Sequence, residues 1–128
     1  MGEVSLFHIF TSLAAGLSAG IVEEAFFRGF IMNQLKWSGF GPAVQVVISG
    51  VCFGVAHVGW GLLAAKPQVN MAVGAMVTTS FLGILYGLCY LSSRRSLLPV
   101  IVGHALMDIL IEPWLIMTTL GAATAHLR

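Results

Sequence analysis

The chain has 128 residues, 58% of them hydrophobic and only 9% charged, with mean hydropathy +0.95 and formal net charge +1. A soluble domain carries roughly 25% charged residues, so this composition excludes a water-covered globule and places the chain in the integral-membrane class. The basic residues are few and scattered, with only Arg94 and Arg95 adjacent, which excludes a nucleic-acid partner.

Four apolar segments follow in order, each near the ~20 residues that cross a bilayer as a helix. The first runs from about Leu6 to Leu35. It is longer than a span requires, so it tilts or protrudes. It is not read as a signal peptide, because 4–21 lacks a basic leading region and the helical pattern runs past any cleavage point. Gly2 is followed by Leu6 where myristoylation needs Ser or Thr. "KWSGFGP" ends this segment, and Pro42 suits the first turn of the next, about 43–63. "AAKPQ" breaks that one, with Pro67 at the start of a third, about 68–91. "SSRRS" separates the fourth, which starts near Leu97 or Leu98 and carries Pro113, where a kink or break is expected. Short loops make neighbours antiparallel. The predicted fold is all-α, a single membrane domain over 1–128 built as a bundle of about four antiparallel transmembrane helices. Cys52 and Cys89 form no CxxC pair and read as buried free thiols. Lys36, Arg94 and Arg95 in loops one and three outnumber Lys66 and Arg128 opposite, which favours a cytoplasmic side for loops one and three.

Three GxxxG pairs, Gly16–Gly20, Gly50–Gly54 and Gly83–Gly87, predict close helix contacts in lipid, where small residues let backbones approach. Glu23 and Glu24 follow Gly20 by three and four residues, and His57 follows Gly54 by three, so these polar groups share the packed faces. Ionisable residues inside a membrane are rare and mark sites. Here they are Glu23, Glu24, Arg28, His57, His104, Asp108 and Glu112. At ~1.5 Å per residue from the side of loops one and three, Glu23 and Glu24 lie roughly 18 Å deep, Arg28 roughly 12 Å, His57 roughly 21 Å, and His104 and Asp108 roughly 10 and 16 Å. Such overlap near mid-membrane is economically read as one site. Arg28, four residues after Glu24, can neutralise it, which leaves Glu23, about 100° away around the helix, for other work. A poorly solvated carboxylate is a better base, and an imidazole oriented by a carboxylate, as His104 and Asp108 are spaced, is a frequent catalytic device. Each group also has a plain structural reading. Glu24–Arg28 serves as an ion pair, His57 as a hydrogen-bonded packing residue, Asp108 as a cap or orienting group. His8, His126 and Glu112 fit no pattern.

"EEAFFR", "FGVAH" and "HALMD" stand in that order, each on its own helix. This resembles the CPBP intramembrane proteases, which include type II CAAX prenyl endopeptidases and bacteriocin-processing Abi proteins, with their pattern EExxxR, FxxxH and Hxxx followed by Asn or Asp. The resemblance covers roughly 18–112. It implies an endopeptidase in a multi-pass, prokaryotic cell-membrane protein, cutting a membrane-associated peptide or protein (a prenylated CAAX tail or a leader peptide) in contact with the lipid bilayer. It implies that Glu23 and His57 hold and deprotonate the attacking water, that Glu24 and Arg28 pair and fix the glutamate helix, and that His104 with Asp108 stabilises the oxyanion. Relatives usually carry six to eight helices. A chain with about four is therefore a minimal core, a truncated chain, or a short relative that works as a homo-oligomer or with a partner subunit. Asp108 stands where the prenyl endopeptidases have Asn. It is either a neutral acid or, the favoured reading, a group that orients His104.

Glu23, His57 and His104 are also a candidate zinc set with a fourth position open to water. No HExxH supports it, and the glutamate-base reaction needs no cofactor and uses the same residues, so the metal-free form is favoured. The competing reading is a non-catalytic immunity or scaffold protein on the same fold, its polar groups forming a buried lock. A proton-coupled transporter is disfavoured by chain size and the absence of broken helices in paired halves.

Overall fold

In the computed structural model, residues 6–62 and 68–110 are described, without the side chains of 6–9, 11–12 and 60–61. The expectations for Pro67, Pro113, Glu112 and His126 lie outside these residues, and so does the His8 side chain. Every element among the described residues is helical: α1 Leu6–Glu24, a π-helical segment Ala25–Ile31, α2 Met32–Trp37, α3 Pro42–Ala56, α4 Gly59–Leu62, α5 Val69–Ser92 and α6 Leu98–Leu110. The all-α class read from composition is therefore the observed one. Among these, α5 is long and apolar enough to cross a membrane, while α3 and α6 are shorter apolar helices. At ~1.5 Å per residue α5 is roughly 36 Å long, more than the hydrocarbon thickness. Large apolar side chains such as Phe30, Val51, Val55, Phe81 and Leu88 point outward. That is the expected exterior where lipid is the solvent.

The chain divides into two units, 1–22 with 101–128, and Glu23–Val100. In the first, Gly16 and Gly20 do what their spacing predicts. A Cβ on Gly16 would stand 3.2 Å from the Asp108 Cβ, and one on Gly20 would stand 3.2 Å from the Ala105 nitrogen and the Ile101 carbonyl oxygen.

In the second unit α3 and α5 run antiparallel, since Val46 meets Gly87, Gly50 meets Gly83, and Gly54 meets Ser80 and Met76. The helices touch through bare backbone: a Cβ on Gly83 would lie 2.9 Å from the Gly50 Cα. At Gly54 it would fall on the Ser80 hydroxyl and the Met76 carbonyl oxygen, and a carbonyl cannot yield. Gly54→Ala is therefore expected to cost about 1–3 kcal/mol by overpacking, read as a lowered Tm in detergent. Gly74→Ala on the same helix pair, with nothing within 4 Å of its Cβ, should leave the Tm unchanged or raise it. Below these contacts Met32, Val46, Tyr90 and Val100 form the buried apolar cluster.

Two described loops of this unit, those after α2 and α5, begin as Schellman stops. After α2, Gly39 takes φ +85°, Gly39 N–H donates to Lys36 O, and Phe40 N–H donates to Leu35 O. After α5 the same two bonds run from Arg94 N–H to Leu91 O and from Arg95 N–H to Tyr90 O. Here the left-handed position is held by Arg94 (φ 56°), and Arg95 (φ 64°) follows in kind. For a residue with a Cβ that conformation costs roughly 1–2 kcal/mol, which side-chain contacts offset at Arg95.

Three expectations are corrected. The second apolar segment is not one helix over 43–63: α3 stops at Ala56 and a short helix resumes at Gly59. The reason is local. The His57 imidazole Nδ1 occupies the Phe53 carbonyl at 2.8 Å, and the His57 backbone N–H bonds instead to Gly54 O at 3.0 Å. The first segment is not uniformly α-helical: over Ala25–Ile31 it widens to π geometry, with Met32 N–H donating to Phe27 O. Cys52 and Cys89 are free thiols but exposed, because Phe53 and Gly87 take the packed faces beside them.

Candidate functional site

Glu24 and Arg28 are fully buried, at 0% exposure each, and an Arg28 amino group donates to Glu24 Oε1 at 2.7 Å. This is the ion pair the four-residue spacing predicts. The sequence did not reveal its second anchor, a bond from the other Arg28 amino group to the Gly83 carbonyl at 2.7 Å. That carbonyl is within reach because Gly83, facing Gly50, has no side chain in the way. The guanidinium carbon also lies 4.8 Å from the Phe53 ring centre and 5.4 Å from that of Tyr86. Ser49 Oγ donates to Phe27 O at 3.0 Å, tying α3 to the π segment. No sequence signal marks the π widening itself. Ser49, by contrast, was legible as a polar residue on an apolar helix.

Phe53 links this pair to the next group. Its ring centre lies 4.8 Å from the Arg28 guanidinium carbon and 4.6 Å from the centre of the His57 ring, the two rings tilted by 39°. The four-residue step from Phe to His in "FGVAH" is what places both on one side of α3. The Phe53 carbonyl can only accept, so His57 Nδ1 carries the proton it donates there. In the neutral form of the ring Nε2 bears the lone pair, and it faces Glu23 Oε2 at 3.8 Å. That is too far for a direct hydrogen bond, a separation at which a water between the two groups is to be considered. Both side chains are partly open, 19% for His57 and 31% for Glu23, while Glu24 next to it is sealed. Adjacent glutamates thus have different surroundings, as about 100° of helix rotation requires.

In the other unit His104 is buried and its Nε2 lies 3.6 Å from Asp108 Oδ2, the four-residue neighbour on α6. The structure thus brings together Glu23 with His57, Glu24 with Arg28, and His104 with Asp108.

For a metal, Glu23 and His57 are two donors of the right kind. Tetrahedral zinc holds two such donors roughly 3.3 Å apart, whereas these stand 3.8 Å apart. Among the described residues no group of three or more His, Cys, Asp or Glu side chains is gathered as ligands.

Sequence reasoning missed a further polar network at the loop end of Glu23–Val100. Arg95 donates to Asn33 Oδ1 at 3.0 Å and to Gln45 Oε1 at 2.5 Å. Asn33 and Gln45, polar residues inside apolar runs, were the available signal.

The sequence model of the family described as Type II CAAX prenyl endopeptidase Rce1-like matches residues 5–110. No curated protein and no solved structure matches the chain.

Proposed function

Since the chain belongs to the Rce1-like type II CAAX prenyl endopeptidase family, a family of membrane-embedded proteases acting on peptide or protein substrates at the membrane, we propose that it hydrolyses a peptide bond with a water activated by Glu23 and His57. The observation that supports this reading is the facing of Glu23 Oε2 and His57 Nε2 at 3.8 Å, with Nδ1 engaged by the Phe53 carbonyl. Two lone-pair atoms so arranged accept both protons of one water. Glu23 takes the first proton as the water oxygen bonds to the substrate carbonyl carbon. Glu23 passes that proton to the amine nitrogen as the tetrahedral intermediate collapses and the C–N bond breaks, and the second water proton follows from the new carboxylic acid to the amine, leaving a carboxylate and Glu23 ionised again. Nothing becomes covalently attached to the protein. Glu24 and Arg28 are positioning residues: their pair, through the Phe53 ring, holds the helix that carries Glu23 and the ring that carries Nε2. On the motif alone, His104 is assigned the oxyanion, oriented by Asp108.

The reading takes 1–128 as one multi-pass membrane domain of a prokaryotic cell membrane, with a prenylated CAAX tail as the substrate class the family name favours. The test is to incubate the protein in nanodiscs with a peptide library that includes S-prenylated Cys peptides and to sequence the products. Cleavage by the wild type and none by Glu23→Gln is expected. No cleavage of any peptide sinks the reading and favours the scaffold alternative.

The metal-free form of the reaction makes a separate prediction. Turnover should survive prolonged dialysis against a zinc chelator with less than about a twofold loss, since the proposed base is the Glu23 carboxylate itself. Activity lost to the chelator and restored by added zinc would overturn that form.

A further inference from the structure

We propose that Arg95 binds the C-terminal carboxylate of the peptide substrate, so that the enzyme reads the free end of the chain it cuts. The inference rests on the endopeptidase reading above and adds a subsite to it.

Arg94 and Arg95 both occupy the left-handed region, where residues with a Cβ need support from their surroundings. Arg95 has that support. Its guanidinium donates to Asn33 Oδ1 and Gln45 Oε1 and lies over the Tyr90 ring, 5.7 Å from its centre. The two amides are fixed in turn: Asn33 Nδ2 donates to Gly29 O at 2.7 Å, and Gln45 Nε2 donates to Phe40 O at 2.6 Å. The guanidinium is therefore held from three sides, by α2, α3 and the end of α5, and every group holding it is neutral. Arg28 has Glu24; among the described residues no carboxylate pairs with Arg95. A guanidinium has five N–H donors, and the two bonds named leave it able to take an anion. The site is a fixed, part-buried, planar fork with uncompensated charge, and a carboxylate matches it in shape and sign.

Its distance from the proposed chemistry selects the ligand. Asn33 and Glu23 are ten residues apart along one helical run, roughly 12–15 Å of rise, the π-helical stretch Ala25–Ile31 rising less per residue than α. A carboxylate–guanidinium contact takes up roughly 3–4 Å of that. The remainder, at ~3.3–3.6 Å per extended residue, is spanned by about three residues beyond the scissile bond. CAAX, the motif in the family's name, is a cysteine followed by three C-terminal residues. A lipid phosphate is the competing anion. Arg94 and Lys36 at the same end are exposed, and exposed cations of that kind suffice for headgroups. The immobilised fork of Arg95 is the part that lipid binding leaves unexplained.

The experiment compares a fluorescent peptide ending in S-prenylated Cys-Val-Val-Ala as the free acid with the same peptide as its C-terminal amide, in nanodiscs. The wild type should cleave the acid about ten-fold faster in kcat/KM, and Arg95→Gln should bring the ratio toward one. Equal cleavage of acid and amide by the wild type overturns the proposal whether or not the variant folds. An Arg95→Gln loss that is the same for both peptides and tracks the phosphatidylglycerol content of the nanodisc also overturns it, in favour of a lipid contact. If the wild type cleaves neither peptide, the proteolytic reading fails, and binding by fluorescence anisotropy decides this one. Tighter binding of the acid, lost in Arg95→Gln, upholds the carboxylate site; equal binding ends it.

Discussion

Glu23→Gln is expected to lower kcat about 10²- to 10⁴-fold, the usual contribution of a positioned general base, while the Tm in detergent stays close to that of the wild type. Glutamine keeps the shape of the side chain and one acceptor oxygen but cannot take a proton from water. The Glu23 side chain is 31% exposed where that of Glu24 is sealed, so losing its charge is expected to cost the fold less than the same change at Glu24. A KM that holds while kcat falls would identify an interaction made only in the transition state. A variant that keeps more than about a tenth of the wild-type kcat would remove Glu23 from the base role.

The opposite signature is expected one residue along. Glu24→Gln should cost about 3–5 kcal/mol of stability, because it leaves the Arg28 guanidinium buried without its counter-charge. Both groups are at 0% exposure, so solvent cannot screen the loss. The Gly83 carbonyl and the rings of Phe53 and Tyr86 remain around the cation, but none carries a full negative charge. Replacing both partners, Glu24→Leu with Arg28→Leu, should recover much of that stability, since it is the unpaired charge and not the missing pair that is costly. Thermal unfolding of the two single variants and the double variant in one detergent measures the coupling. A Glu24→Gln Tm equal to wild type would mean that the pair is not what holds the π segment to α3 and α5. Adjacent glutamates, one failing in chemistry and the other in folding, would separate the two roles that "EEAFFR" places side by side.

The helix pair α3–α5 explains why so much was legible beforehand. Helical periodicity is a property of the backbone, so the four-residue steps Glu24–Arg28, Phe53–His57 and His104–Asp108 could be read directly, and each appears as a contact. The glycine spacing was legible for the same reason, and Gly50 does meet Gly83 backbone to backbone. Segment ends were harder. The end of α3 at Ala56 is decided by a side chain, His57, taking a carbonyl from its own helix, and hydropathy carries no trace of that competition.

What the sequence determined by itself was the class of solvent, the all-α architecture, the family pattern, and which charges share a helix face. These follow from composition and from a 3.6-residue period. Only the tertiary structure decided which lone pair of His57 faces Glu23, which carbonyl completes the shell of Arg28, and that Asn33, Gln45 and Arg95 converge at one end. Each of these joins residues from different elements, and the approach of α3 to α5 in particular is set by the absence of side chains at Gly50, Gly54 and Gly83. A pattern read along one helix records which face a residue occupies; what stands opposite that face depends on how closely a second helix can pack.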